Sequence, residues 1–422
     1  MKKTILKSLV MISLGILSLL VGCDSTVNTN YDSRFTDDGY LIQDTTINKF
    51  SLEQPSSIKF FVEVSGSMNG FFRNNIPTHF KTDFWKVLNY FSPISYPVTI
   101  LTNSGSQGAQ YQLSKFQSLM NTGAFISSAS TKVPKMLQTI ISNIDTEKGE
   151  VAILVSDMKY SPVGSAAPNV LLAQYSTDIS KILGNFNEAV SLVCATSDYY
   201  DKAGNKVCER SPYYYLILGK PEHVADVRND LSALLEQQSR YVDNIETGFD
   251  YGKPRYTFSI SNKCDQLEFE PTFINYEEAD EIDTCMVRLK INLEDYRRIM
   301  TNKDFFKQSF KVKTLYGSQV EVGKIDIKVE NITGYNHDLN RKASASVDIK
   351  IFNMANDSEV IEWILDIPHT NYTLMNEFLE GAVAEGDPNK SYSVIDFIKG
   401  MFYGGIISKD LKPNYILISK KG

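Results

Sequence analysis

The residues best placed to do chemistry are Glu63, Ser65 and Ser67, in the stretch SIKFFVEVSGSM from Ser57 to Met68. Ile58 to Val64 is a β-branched and aromatic run of the length of a buried strand, and Ser65-Gly66-Ser67 is a turn that cannot continue it. A carboxylate and two hydroxyls therefore gather at the strand's C-terminal end, where open α/β sheets place their ligand sites. Gly66 permits the tight turn that aims both hydroxyls the same way. A serine at such a corner can also serve as a nucleophile. Gly66-Ser67-Met68-Asn69-Gly70 lacks the Gly-x-Ser-x-Gly spacing of a nucleophile elbow, however. His79, His223, His337 and His369 are isolated along the chain and read as ordinary core or surface histidines. Binding is expected, not catalysis.

The segments that must position this corner alternate between strand and helix. Phe80 to Phe91 has helical periodicity, with Phe84, Val87, Leu88 and Phe91 on one face. Pro97 to Thr102 and Gln110 to Ser114 read as strands and Lys115 to Met120 as a short helix. Thr131 is a good helix N-cap, because Val133, Met136, Leu137, Ile140, Ile141 and Ile144 follow at spacings of three and four, with Pro134 tolerated in the first turn. Glu150 to Val155 is a second buried strand and ends at Ser156-Asp157. Val170 to Phe186 (helix), Ala189 to Thr196 (strand), Tyr213 to Leu218 (strand) and Pro221 to Leu235 (helix) continue the alternation, with Asp201 to Asn205 as a hairpin turn. Such alternation predicts a mainly parallel sheet covered on both faces.

Glu-Val-Ser-Gly-Ser-Met resembles the Asp-x-Ser-x-Ser signature of von Willebrand factor A (VWA) domains, whose metal-ion-dependent adhesion site (MIDAS) holds a divalent cation. The family adds a Thr from a second loop and an Asp from a third. Thr131, with Ser130 and Ser128 as neighbours that could substitute, matches the second, although capping its helix would by itself explain this threonine. Leu-Val-Ser-Asp, ending at Asp157, is similar to the third. The resemblance implies a VWA/Rossmann-like, doubly wound fold. It also implies metal ligation by Ser65, Ser67 and Thr131, with Glu63 and Asp157 acting mainly through water and hydrogen bonds. Magnesium is the implied ion, since neutral hydroxyls with supporting carboxylates hold it without neutralising it and leave a coordination position for a partner's acidic group. Glu63 departs from the family's Asp, and its extra methylene moves the carboxylate by roughly 1.3 Å. That shift makes Glu63 an inner ligand, favours calcium or manganese, or abolishes binding. Phe71, Phe72 and Arg73 follow the turn and either form a partner-selecting rim or pack beneath the next helix.

Met1-Lys2-Lys3 followed by the apolar run Ile5 to Val21 reads as a secretory signal over residues 1–22. Leu20-Val21-Gly22-Cys23 resembles a bacterial lipobox, which implies lipidation of Cys23 and cleavage just before it. Acyl chains would then anchor the protein at the cell envelope, in the periplasm or at the cell surface, with the outer membrane the favoured location. Residues 23–54 carry the lipidated Cys and a polar tether. Export leaves Cys194, Cys208, Cys264 and Cys285 in an oxidising compartment. The simplest disulfides join Cys194 to Cys208 and Cys264 to Cys285, and the alternative is four buried free thiols.

A chain of 422 residues is long enough for two domains. Its net charge of −7, without a Lys/Arg block, argues against nucleic-acid partners. An α/β domain is expected over residues 55–247. From 248 to 422, alternating segments such as Met286 to Ile291 and Ala345 to Phe352 predict a β-rich, sandwich-like domain. Met375 to Ala384 and Tyr392 to Tyr403 read as helices within it. The expected function is a non-enzymatic, membrane-anchored lipoprotein that binds a protein partner in the envelope or outside the cell. The alternatives are a scaffold with a degenerate, metal-free site and a metal-assisted hydrolase, whose ligand set would be richer than this one.

Overall fold

In the computed structural model the described residues are 34, 52–101, 105–125, 132–160, 167–249, 256–260, 273–276, 284–293, 303–329, 343–354, 356, 358–366, 376–379, 388–391, 393–404 and 413–420. The expected leader, Cys23, Cys264, Thr131 and its neighbours Ser128 and Ser130 lie outside them. Among the described residues no helix is long and apolar enough to cross a membrane.

Strand β1 (Ser57–Glu63) is an interior strand of a seven-stranded sheet, third from one edge. Its alternate side chains enter two apolar layers, Phe60 and Val62 into one and Phe61 into the other. Burial on both faces is why the run is apolar throughout. There follow α1 (His79–Tyr90), β2 (Val98–Leu101), β3 (Gln107–Tyr111), α2 (Leu113–Thr122), α3 (Val133–Ile141) and β4 (Glu150–Ser156). The chain continues through α4 (Pro168–Phe186), β5 (Ala189–Tyr200), β6 (Lys206–Gly219), α5 (Pro221–Gln237) and β7 (Tyr241–Thr247). Helices α1, α2 and α5 cover one face of the sheet, while α3 and α4 cover the other.

The strand order is β3-β2-β1-β4-β6-β5-β7. β1 pairs in parallel with β2 and β4, and the joins beyond them are antiparallel. β5 points the same way as these three, so four of the seven strands run together. A strictly doubly wound sheet would set β5 beside β4. That slot is filled by β6, whose run Tyr213 to Leu218 is fully buried and belongs in the sheet interior.

The hairpin at Asp201 to Asn205 forms as expected, with the Asn205 amide donating to Asp201 Oδ1 at 2.8 Å. The disulfide expected across it does not. Cys194 faces Tyr214 while Cys208 faces Tyr199, five residues further along β5, and both are free thiols. That separation is about 16 Å along a strand, far beyond the roughly 7 Å Cα limit for a disulfide. Cys285 is likewise a buried free thiol.

The C-terminal part holds β8 (Tyr256–Ile260), β9 (Phe273–Tyr276), β10 (Thr284–Asn292), α6 (Lys303–Ser309), β11 (Phe310–Thr314), β12 (Gln319–Val329), β13 (Ala343–Phe352) and β14 (Ser358–Leu365). After α7 (Asn376–Leu379) and α8 (Val394–Gly404), β15 (Asn414–Lys420) follows. Two four-stranded sheets, β12-β13-β10-β8 and β11-β14-β15-β9, share one apolar core that includes Val287, Leu289, Ile349, Trp363 and Ile416. The pairing is antiparallel except where β15 meets β9.

Two helices expected within this β-rich part pack elsewhere. Phe378 of α7 and Phe397, Ile398 and Met401 of α8 join Tyr175, Ile179 and Leu183 of α4 in the α/β core. A Cβ on Gly400 would lie 2.7 Å from Ile179 Cβ and from the Ser176 carbonyl oxygen, so only glycine permits the observed α8–α4 approach. Just before α8, Ser391 meets the Tyr214 hydroxyl, Ser211 donates to the Pro388 carbonyl, and the Tyr160 amide donates to Ser393 Oγ at 3.0 Å.

Candidate functional site

The chain leaves β1 for β2 on one side and returns to β4 on the other, with α1 on one face of the sheet and α3 on the opposite face. The carboxyl ends of β1 and β4 are therefore a topological switch point, where diverging connections leave a crevice for a ligand. Glu63 ends β1 there, and Ser65 and Ser67 follow in a turn that leads into a 3-10 turn at Ser67–Gly70. Ser156 ends β4 and Asp157 follows it.

Glu63 and Asp157 are fully buried and Ser65 nearly so, whereas Ser67 is half-buried and Gly66 exposed. The opening thus lies on the Gly66-Ser67 side. Ser65 and Ser67 hydroxyls meet at 2.9 Å. Ser156 donates its hydroxyl to Glu63 and accepts the Met158 amide at 2.7 Å. Met158 has φ of +55°. A left-handed backbone is unfavourable for a bulky side chain, and such strain persists where the surroundings impose it.

Asp157 Oδ1 accepts the Lys159 amide at 3.2 Å, while its buried Oδ2 has no hydrogen bond. Burial pushes the Asp157 carboxyl above its usual range, and the Lys159 charge and the Ser67 hydroxyl oppose that rise. Tyr199 donates its hydroxyl to the Ser67 carbonyl oxygen at 2.9 Å, and burial, with the Asp157 charge second, pushes the phenol up to about 12. The buried Tyr175 hydroxyl also lacks a hydrogen bond, and burial, the neighbouring Tyr160 and the Glu63 charge raise it well above its usual value.

Four of the five residues expected to hold a cation lie at these two strand ends, Ser65 paired with Ser67, Ser67 beside Asp157 and Glu63 bonded to Ser156, and Thr131 lies outside the described residues. Two carboxylates and two hydroxyls suit a hard cation, and an orphaned buried carboxylate oxygen is the group such an ion would satisfy. The residues fit. Lys159 weighs against the ion, because it is almost buried and already places positive charge beside Asp157.

Phe71 and Phe72 do not form a rim. Phe71 packs on Phe80, Tyr199 and Tyr213 and Phe72 on Phe80 and Phe125, all inside the apolar layer beneath α1. Only Arg73 stays half-exposed, beside exposed Asn74. Tyr199 and Lys159 were not among the expected site residues. Both lie within two residues of a strand end or of a site residue, but only strand pairing brings Tyr199 to the Ser67 turn.

A second polar group lies before β1, at the other end of the strand. Glu53, Glu222 and His223 bring potential ligand atoms within 4.8 Å of one another. His223 Nδ1 lies 3.0 Å from the Glu53 carbonyl oxygen. His79 also has a partner, Asp198, at 3.2 Å.

No family model, curated protein or solved structure matches this chain.

Proposed function

We propose that the chain is a non-enzymatic, VWA-like binding lipoprotein of the bacterial envelope that grips a protein partner through an acidic group. The observation that supports this most is the Asp157 carboxyl, fully buried at the switch point beside the Ser67 hydroxyl, which in turn meets that of Ser65, with Oδ2 lacking a partner at close hydrogen-bond distance. Ser65, Ser67 and Asp157 would hold a divalent cation, with Thr131 from the second loop and Glu63 supporting from behind. A bound cation would supply residual positive charge at the Gly66 opening, where a partner's carboxylate can complete its coordination. Magnesium is the first candidate, with manganese and calcium suited to the longer Glu63. Ser67 meets another serine and a carboxyl, a set better suited to holding an ion than to activating a nucleophile.

A second reading, a scaffold with a metal-free site, is favoured by Lys159, whose charge can balance Asp157 without an ion. Calorimetric titration of the chelator-stripped chain from residue 24 onward with magnesium, manganese and calcium separates the two. Saturable heat that Ser67→Ala removes supports the adhesion site. No heat with any ion, for the natural chain and for Glu63→Asp alike, leaves the scaffold. Capture from the cell envelope with and without chelator then tests whether partner binding needs the cation.

A further inference from the structure

Three consecutive residues of β5, Ser197, Asp198 and Tyr199, reach across to the segment that follows β1. Ser197 Oγ accepts the Phe80 amide at 2.8 Å and Asp198 Oδ1 accepts the His79 amide at 2.8 Å, so β5 caps the first turn of α1. One residue on, the Tyr199 hydroxyl donates to the Ser67 carbonyl oxygen at 2.9 Å. The segment from Ser67 to Phe80 is therefore pinned at both ends by one stretch of strand.

This stretch is irregular. The β5–β6 register shifts on both sides of Tyr199, between Ser197 and Tyr199 and again before Tyr200. Local departures from a regular ladder re-aim side chains, and they gather beside functional sites. Here the Tyr199 ring lies edge-on to Phe71, with centroids 5.0 Å apart, and flat against Gly70. A Cβ on Gly70 would come within 2.2 Å of that ring, so the turn and the phenol fit only while residue 70 has no side chain.

We propose that Tyr199 is a positioning residue of the candidate cation site, holding the Ser65 to Gly70 turn so that the Ser67 hydroxyl, paired with that of Ser65, stays beside Asp157. Its hydroxyl fixes the backbone at Ser67, and its ring fills the space over Gly70. It touches neither ion nor partner and acts through the loop it braces. The proposal rests on the adhesion reading only for its effect on affinity, because the bracing itself is a property of the metal-free chain.

The test uses Tyr199→Phe in the chain from residue 24 onward, which keeps the ring and removes one hydrogen bond. In chelator the variant is expected to melt within about 4 °C of the natural chain, with faster hydrogen exchange confined to residues 65–72 and unchanged exchange in β4. Manganese affinity, read by calorimetry, is expected to fall about tenfold, as for other groups that orient ligands from behind. Gly70→Ala, which pushes the ring away, is expected to reproduce both effects, and the double variant to be little worse than either. Unchanged exchange over residues 65–72 in Tyr199→Phe overturns the brace, and unchanged manganese affinity overturns its role at the site. Should the natural chain bind no ion while the variant's exchange still rises, the adhesion reading fails and the brace stands.

Discussion

Ser156 at the end of β4 donates its hydroxyl to Glu63 at the end of β1, tying two adjacent parallel strands together at the rim of the crevice. Glu63 reaches this partner because it is one methylene longer than aspartate. Glu63→Asp retracts the carboxylate by roughly 1.3 Å and is expected to lose that bond, destabilising the metal-free chain by about 1 kcal/mol. Thermal melts in chelator check the loss. Ser156→Ala should lower stability by a similar amount, and the double variant should fall short of the sum, since both remove one interaction. If the crevice holds an ion, Glu63→Asp should also shift preference toward magnesium.

Asp157 offers an opposite signature. Its carboxyl is raised by burial, so its charged form is less favourable in the folded chain than in the unfolded one. Stability from the protonated group is complete below the unfolded value and is lost as pH rises through the folded one. Asp157→Asn keeps an oxygen for the Lys159 amide and removes the charge. It should therefore melt higher than the natural chain in chelator at neutral pH, yet gain nothing from added cation. The natural chain should gain about 2.7 kcal/mol when the ion is present at a hundred times its dissociation constant. A variant that still responds to the ion would remove Asp157 from the ligand set.

A pH response is also expected from α1. Asp83 is pushed from 3.8 up to about 6 by burial, opposed by the charges of Arg240, Lys86 and His79 and reinforced by Asp198. Because the folded value is raised, its contribution to stability is full below about 3.8 and disappears as pH climbs through about 6. Asp83→Asn should raise the melting temperature at pH 7, by the equivalent of about 2 kcal/mol, and match the natural chain near pH 4. Parallel melts across that range check the sign.

The close crossing of α8 and α4 predicts a steric effect. Gly400→Ala places a methyl 2.7 Å from Ile179 Cβ and the Ser176 carbonyl oxygen, and is expected to destabilise by about 1–3 kcal/mol. Proteolysis should then open the chain first around α8. A neutral outcome in both measurements would mean that the two helices separate without consequence.

The central strands and the turns that carry the candidate site residues were legible because Ile58 to Val64 and Glu150 to Val155 are largely apolar runs too short for helices and end in small polar turns. Local patterns say that a face is buried, without saying against what. The amphipathic stripe of α8 is plain in Phe397, Ile398 and Met401, yet its partner is α4, more than two hundred residues earlier. β7 escaped for another reason: Asp243, Asn244 and Glu246 interrupt its apolar residues, and these polar groups find partners only in the folded chain, as Glu246 does with fully buried Arg228. The Cys194–Cys208 bridge failed on register, since a hairpin's turn fixes which residues face each other and spacing along the chain does not.

The return of α8 to the α/β core, followed by the return of β15 to the sandwich, threads the two units through each other in order of synthesis. Neither is completed alone: α4 lacks its α8 partner until residue 404 has been made, and β14 and β9 lack the strand between them until residue 420 has. A fragment cut after residue 249 would keep Tyr160 stacked on Tyr175 but would uncover the part of α4 that Phe397, Ile398 and Met401 pack against, and should be prone to associate. Each unit thus depends on a segment that follows the bulk of the other in the chain.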